Sequence, residues 1–60
     1  MNEIVKSLVD RLDTNLREAF EERAAIMEFD SGLHRDHAEC FALLNLIHQN
    51  PTVVLACFQQ

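Results

Sequence analysis

The chain has 60 residues, five Lys or Arg against ten Asp or Glu, and a formal net charge of −5 with its three histidines neutral. Hydrophobic residues make up 48% of the sequence and charged residues 25%, which is the balance of a folded domain rather than a disordered tail. This length excludes two domains, a doubly wound sheet or a barrel, and a single Gly and a single Pro provide too few turns for an all-β fold. Because an acidic chain is poorly suited to phosphate backbones, we do not expect it to bind nucleic acid.

Residues 3–28 have the pattern of one long amphipathic helix. At about 100° per residue, the apolar side chains fall within an arc of roughly 120°, and neither Gly nor Pro interrupts them. The apolar positions are Val5, Leu8, Val9, Leu12, Leu16, Ala19, Phe20, Ile26 and Met27. Arg23 also projects into this arc. Its stem either packs while the guanidinium reaches water, or the guanidinium pairs with a carboxylate of another helix.

The outer face of this helix is acidic, with Glu18, Glu21 and Glu22. A face of this kind usually keeps a small protein soluble. The sharper interpretation is a surface that binds a basic partner protein, in which case the chain would act as an acidic inhibitor of that protein's basic site.

The only glycine, Gly32, predicts a tight turn over residues 29–33, and a second helix follows over about 34–49. The apolar face of this helix is wide. Cys40, Phe41, Leu43, Leu44 and Ile47 cover about 160°, with Ala42 and Leu46 on the flank. A helix that is apolar over so much of its circumference contacts more than one neighbour.

Asn50 and Pro51 predict the start of another element, because Asn is a good helix cap and Pro suits the first helical position. We predict a short helix over about 51–58. The β-branched residues within 52–58 leave a strand as the alternative.

One cluster, at the start of the second helix, contains side chains of the types that bind metals or take part in catalysis. His34, His37 and Cys40 are three residues apart, so each neighbouring pair can reach one ion. Over six residues the direction drifts by about 120°, so the three cannot converge, and we predict no metal and no cofactor. Cys40 beside His37 is a nominal nucleophile and base, but so short a chain has little means to build a pocket around them. We therefore predict solvated histidines, a core cysteine and no enzymatic activity.

The small size of the chain and its two cysteines favour association with a partner subunit as the source of stability. Cys40 and Cys57 can form one bridge at most, the N-terminus lacks a signal-peptide pattern, and the longest apolar run is too short for a membrane span. These features predict a cytoplasmic protein with reduced thiols and no membrane partner. A chain this short buries only about 60% of its unfolded surface, so we expect it to gain stability from a partner subunit.

The predicted architecture is therefore an all-α helical hairpin that forms one domain and assembles into a dimeric bundle. We expect the interface to contain Phe41, Leu44, Ile47, Val54, Leu55 and Phe58.

The segment from Glu22 to Glu39 has the form E-R-A-A-I-x-E-x-D-x-G-L-x-R-x-x-A-E and resembles a stretch found in bacterial phage- and plasmid-borne proteins. This resemblance implies that the chain is encoded by a mobile element, and it implies no catalytic residue. In size, acidity and helical-hairpin layout the chain is also similar to small plasmid copy-control proteins, which dimerise into a four-helix bundle and bind paired RNA hairpins. That similarity supports dimerisation.

We expect a small non-enzymatic protein with an interaction or regulatory role. The acidic inhibitor is one alternative, and a dimeric helical-hairpin regulator that binds nucleic acid is the other.

Overall fold

The computed structural model describes residues 1–59, which form four helices joined by short turns. The helices are α1 (Glu3–Val9), α2 (Thr14–Ser31), α3 (Arg35–Gln49) and α4 (Pro51–Phe58). The predicted all-α fold is confirmed. Residues 52–58 are helical, so the strand alternative for this segment is wrong.

The predicted single helix over residues 3–28 is divided into α1 and α2 by a break at residues 10–13. Asp13 causes the break, because its carboxylate accepts a hydrogen bond from the Leu16 N–H at 2.8 Å and so acts as the N-cap of α2. Arg17 closes the break from the other side, where its Nη2 donates to the Asp10 carbonyl oxygen at 3.1 Å. Asp13 is followed by Thr14 and Asn15, and all three are weak helix formers because such side chains compete for backbone hydrogen bonds. The apolar stripe survives the break, because the turn redirects the chain without changing which side is buried.

Removal of the Asp13 cap tests this account of the break. We expect Asp13→Ala to lower the free energy of unfolding by about 1 kcal/mol, because the Leu16 N–H loses its acceptor. Asp13→Asn keeps an acceptor at the same position and should stay within a few tenths of a kcal/mol of wild type. Urea unfolding followed by circular dichroism measures both variants. Equal losses in the two would contradict the capping role.

The turn between α2 and α3 is shorter than predicted. Helix α2 continues through Ser31, and Gly32 ends it with a left-handed backbone at φ 66°. The residues before Gly32 are compatible with a helix. Gly32 itself takes the left-handed backbone conformation, which glycine adopts without strain. The predicted turn over 29–33 therefore covers residues 32–34 in the structure.

Helices α2 and α3 form the main hairpin, and their contact is built around small side chains. Ala24 on α2 and Ala38 and Ala42 on α3 are fully buried, as are Phe20 and Leu46. Small residues at a helix contact let the two backbones approach closely, so the large side chains fill the space around them. The other members of this core are Val5, Val9, Leu12, Leu16, Leu43 and Val54.

Helices α1 and α4 close the ends of the hairpin against α3. The terminal amine of Met1 lies 3.7 Å from Asp36 Oδ1, and Arg11 Nη1 donates to the Phe58 carbonyl oxygen at 3.3 Å. The total exposed surface is 4178 Å². A folded monomer of this mass exposes about 4000 Å², so one copy already closes its own core.

The junction between α3 and α4 is a sharp bend of 110°. Pro51 occupies the predicted first position of α4, but the Asn50 side chain makes no capping bond. Its Nδ2 donates instead to the Leu46 carbonyl oxygen at 3.3 Å, which ends α3 rather than starting α4. Within residues 1–59 no single helix has the length and apolar character of a membrane span, and α3 and α4 reach these only when counted together across the bend.

Candidate contact surface

Helix α3 buries Leu43 of the predicted apolar face together with Ala42 and Leu46 of its flank. Phe41 and Leu44, at the centre of the predicted apolar face, are 53% and 62% exposed. Ala42 and Leu46, predicted to lie on the flank, are fully buried. The wide apolar face was predicted to contact more than one neighbour, and the structure shows that α3 packs within one copy through its Ala42, Leu43 and Leu46 side. Phe41 and Leu44 are therefore left outside the core.

The exposed side of α3 carries a regular stripe, which we call the outer seam. It consists of His37, Phe41, Leu44 and His48. At 100° per residue these positions fall within about 60° of one another, on the side of the helix opposite Leu46. All four are exposed. The seam therefore presents two large apolar side chains flanked by two histidines.

A groove of about 600 Å³ runs beside the outer seam, between α2 and α3. Its walls are Met27, Ser31, Leu33, Phe41, Leu44, Asn45 and His48. None of these residues is Asp, Glu, Lys or Arg, although the chain carries fifteen such residues. The groove and the seam together form an apolar surface with an uncharged polar rim.

The predicted interface residues divide into three groups in the structure. Phe41, Leu44 and Leu55 are exposed, and Leu55 lies on α4 with 55% of its surface accessible. Ile47 and Phe58 are half-buried against the core. Val54 is only 1% exposed and belongs to the core of a single copy, because the bend turns it inward. This burial removes Val54 from the predicted interface.

The strongest electrostatic cluster is one that the sequence patterns did not indicate. Arg35, in the first turn of α3, pairs with Glu21 and Glu28 of α2 and with Glu39 of its own helix, at N–O distances of 3.1, 3.3 and 3.1 Å. Glu39 is only 4% exposed, and its Oε1 has no hydrogen-bond partner. The hydrogen bond to Glu39 is the main reason why the pKa of Arg35 is raised above its ordinary value. The cluster links α2 to α3 and acts structurally. The spacing of Arg35 and Glu39, four residues apart, was its only local signal.

The predicted acidic face is only partly available to a partner. Glu18 and Glu22 are exposed, but Glu21 is committed to the ion pair with Arg35. Arg23 follows neither predicted interpretation, since its Nη2 donates to an amide oxygen, Gln49 Oε1 at 2.6 Å, and its Nη1 is buried without a partner.

The cluster of His34, His37 and Cys40 also has a structural explanation. His34 is the N-cap of α3, where its Nδ1 accepts a hydrogen bond from the Asp36 N–H at 3.3 Å. The ring centroids of His34 and His37 lie 5.9 Å apart. Cys40 is exposed, so its predicted place in the core is wrong, and both cysteines are free. Over the described part of the chain, no group of three or more His, Cys, Asp or Glu is arranged to hold a metal ion.

Comparison with protein-family models, with curated proteins and with solved structures finds no match to this chain.

Proposed function

We propose that this chain is a small non-enzymatic protein that works by contact, and that it associates with itself as a homodimer. The observation that supports the proposal is the exposure of Phe41 and Leu44 beside a groove with apolar walls. A small soluble protein rarely leaves large apolar side chains in a continuous patch unless another molecule covers them.

Burial of the apolar side chains at this surface favours association. Covering apolar surface contributes about 25 cal/mol per Å², and large side chains that are already held on a helix lose little further freedom when they are covered. Because the core of one copy is closed, dimerisation is a binding event between folded copies. This differs from the expectation that the partner is needed to complete a core.

The mass of the protein in solution tests this proposal. We expect light scattering after gel filtration to show a species of twice the 6.9 kDa chain mass at high micromolar concentration, falling toward one chain mass on dilution. A single species of one chain mass at every concentration would contradict self-association.

A matched control separates the proposed surface from exposed aromatic residues in general. Phe29 is 83% exposed and projects about 180° from Phe20, on the side of α2 that faces away from the core. We expect Phe29→Ser to leave the dimer intact and Phe41→Ser to weaken it. The same light-scattering series measures both.

A further inference from the structure

The outer seam has the same pattern in both directions along α3. Its residues are spaced four, three and four apart, with a histidine at each end and apolar residues in the middle. The midpoint falls between Ala42 and Leu43, within one residue of the centre of the helix (Arg35–Gln49). A pattern of this kind suits a two-fold contact between antiparallel helices, because residue i of one copy then meets residue j of the other while residue j meets residue i.

We propose that a second copy of the chain occupies this face, with the two α3 helices antiparallel across a two-fold axis. Phe41 of each copy then contacts Leu44 of the other, and His37 of each copy meets His48 of the other. This arrangement rests on the proposed self-association. It adds which surface forms the contact, how the two α3 helices are oriented and which residues meet. Spacing of four, three and four residues is also the spacing with which paired helices interlock their side chains.

The distribution of charge favours a second copy over a basic partner. The chain carries ten acidic residues, but none lies on the seam or on the walls of the groove. Two chains of net charge −5 therefore meet here without carboxylates placed directly against each other. A basic protein would be attracted instead to Glu18 and Glu22, on the outer face of α2.

The area required by a stable dimer fixes how far the contact extends. A stable interface buries about 800 Å² on each partner, which is about a fifth of the 4178 Å² that one copy exposes. The seam is only one helix wide, so the contact must continue across the groove to Met27 and Leu33. The result is a four-helix bundle of two α2–α3 hairpins, with the groove closed by the partner.

Two variants with opposite new charges, mixed together, test whether the two α3 helices run antiparallel. Leu44→Glu alone and Phe41→Lys alone should each raise the dissociation constant of the dimer by about tenfold or more. The two-fold axis creates two equivalent contacts, and in each of them the new charge lies against an apolar side chain. In an equal mixture, the antiparallel arrangement sets the new glutamate at position 44 against the new lysine at position 41. It also sets the remaining Phe41 against the remaining Leu44. We therefore expect the mixture to form a one-to-one heterodimer, detected by native mass spectrometry.

The other outcomes separate this inference from the proposed function. A wild-type dimer whose mixed variants stay monomeric would overturn the antiparallel arrangement and leave self-association standing. A Leu44→Glu variant that dimerises as wild type does would overturn the seam as the contact. A wild-type monomer would overturn both. Circular dichroism checks that the variants are folded, which we expect because both positions are more than half exposed. Phe29→Lys is the matched control and should dimerise normally.

Discussion

Phe20→Ala should destabilise the fold far more than the same change at an exposed phenylalanine. Phe20 has no exposed surface and is the largest fully buried side chain of the described residues. Replacing a buried Phe by Ala costs about 3–5 kcal/mol through lost apolar burial and the cavity that remains. A domain of this size has a total stability of roughly 3–9 kcal/mol, so the loss removes between about a third and all of it. Urea unfolding followed by circular dichroism measures the loss.

Three phenylalanines provide an internal control for this prediction. Phe41→Ala should cost less than about 1 kcal/mol in the isolated chain, and Phe29→Ala less than about 0.5 kcal/mol, because both are more than half exposed. The comparison is made at low concentration, where the proposed dimer would be dissociated. Losses of similar size at positions 20 and 41 would contradict the face of α3 that the structure buries.

Arg35→Met should cost about 2 kcal/mol. Without the guanidinium, the buried Glu39 carboxylate has no hydrogen-bond partner at either oxygen, since its Oε1 already lacks one. Breaking a fully buried pair costs about 3–5 kcal/mol, and the expected loss is smaller here because the Arg35 side chain is 35% exposed.

A double substitution separates the free energy that the ion pair contributes from the free-energy penalty of a buried charge without a partner. Arg35→Met combined with Glu39→Met removes both charges and should recover most of the stability, because apolar residues of similar volume often replace buried ion pairs without loss. Glu21→Gln and Glu28→Gln remove the more exposed partners and should each cost less than about 0.5 kcal/mol. If the double variant is as unstable as Arg35→Met alone, the ion pair itself stabilises the fold.

The helices were predictable where local chemistry determines them. Gly32 and Pro51 mark boundaries by backbone geometry alone, so their positions follow from the sequence. The break before α2 was missed because the apolar stripe continues through it, and the stripe was given more weight than the capping chemistry of Asp13. A carboxylate followed by Thr14 and Asn15 was the local signal for this break.

The buried face of α3 was harder to predict for a physical reason. Apolar periodicity marks both the face against α2 and the outer seam, and side-chain size does not separate them, because the buried Leu46 is as large as the exposed Leu44. Which face a helix buries depends on the helix that packs against it, here α2, and the sequence of α3 alone does not specify that contact. Of the residues predicted for the interface, Phe41 and Leu44 stay exposed on the outer seam, whereas Val54 lies in the core.

Dilution followed by nuclear magnetic resonance tests most directly whether the outer face of α3 is where this protein binds. We predict that the backbone amides of Phe41, Leu44 and His48 change their chemical shifts as the concentration falls, while those of Glu18 and Glu22 stay constant. Spectra that are independent of concentration, or changes confined to α4 around Leu55, would contradict the account.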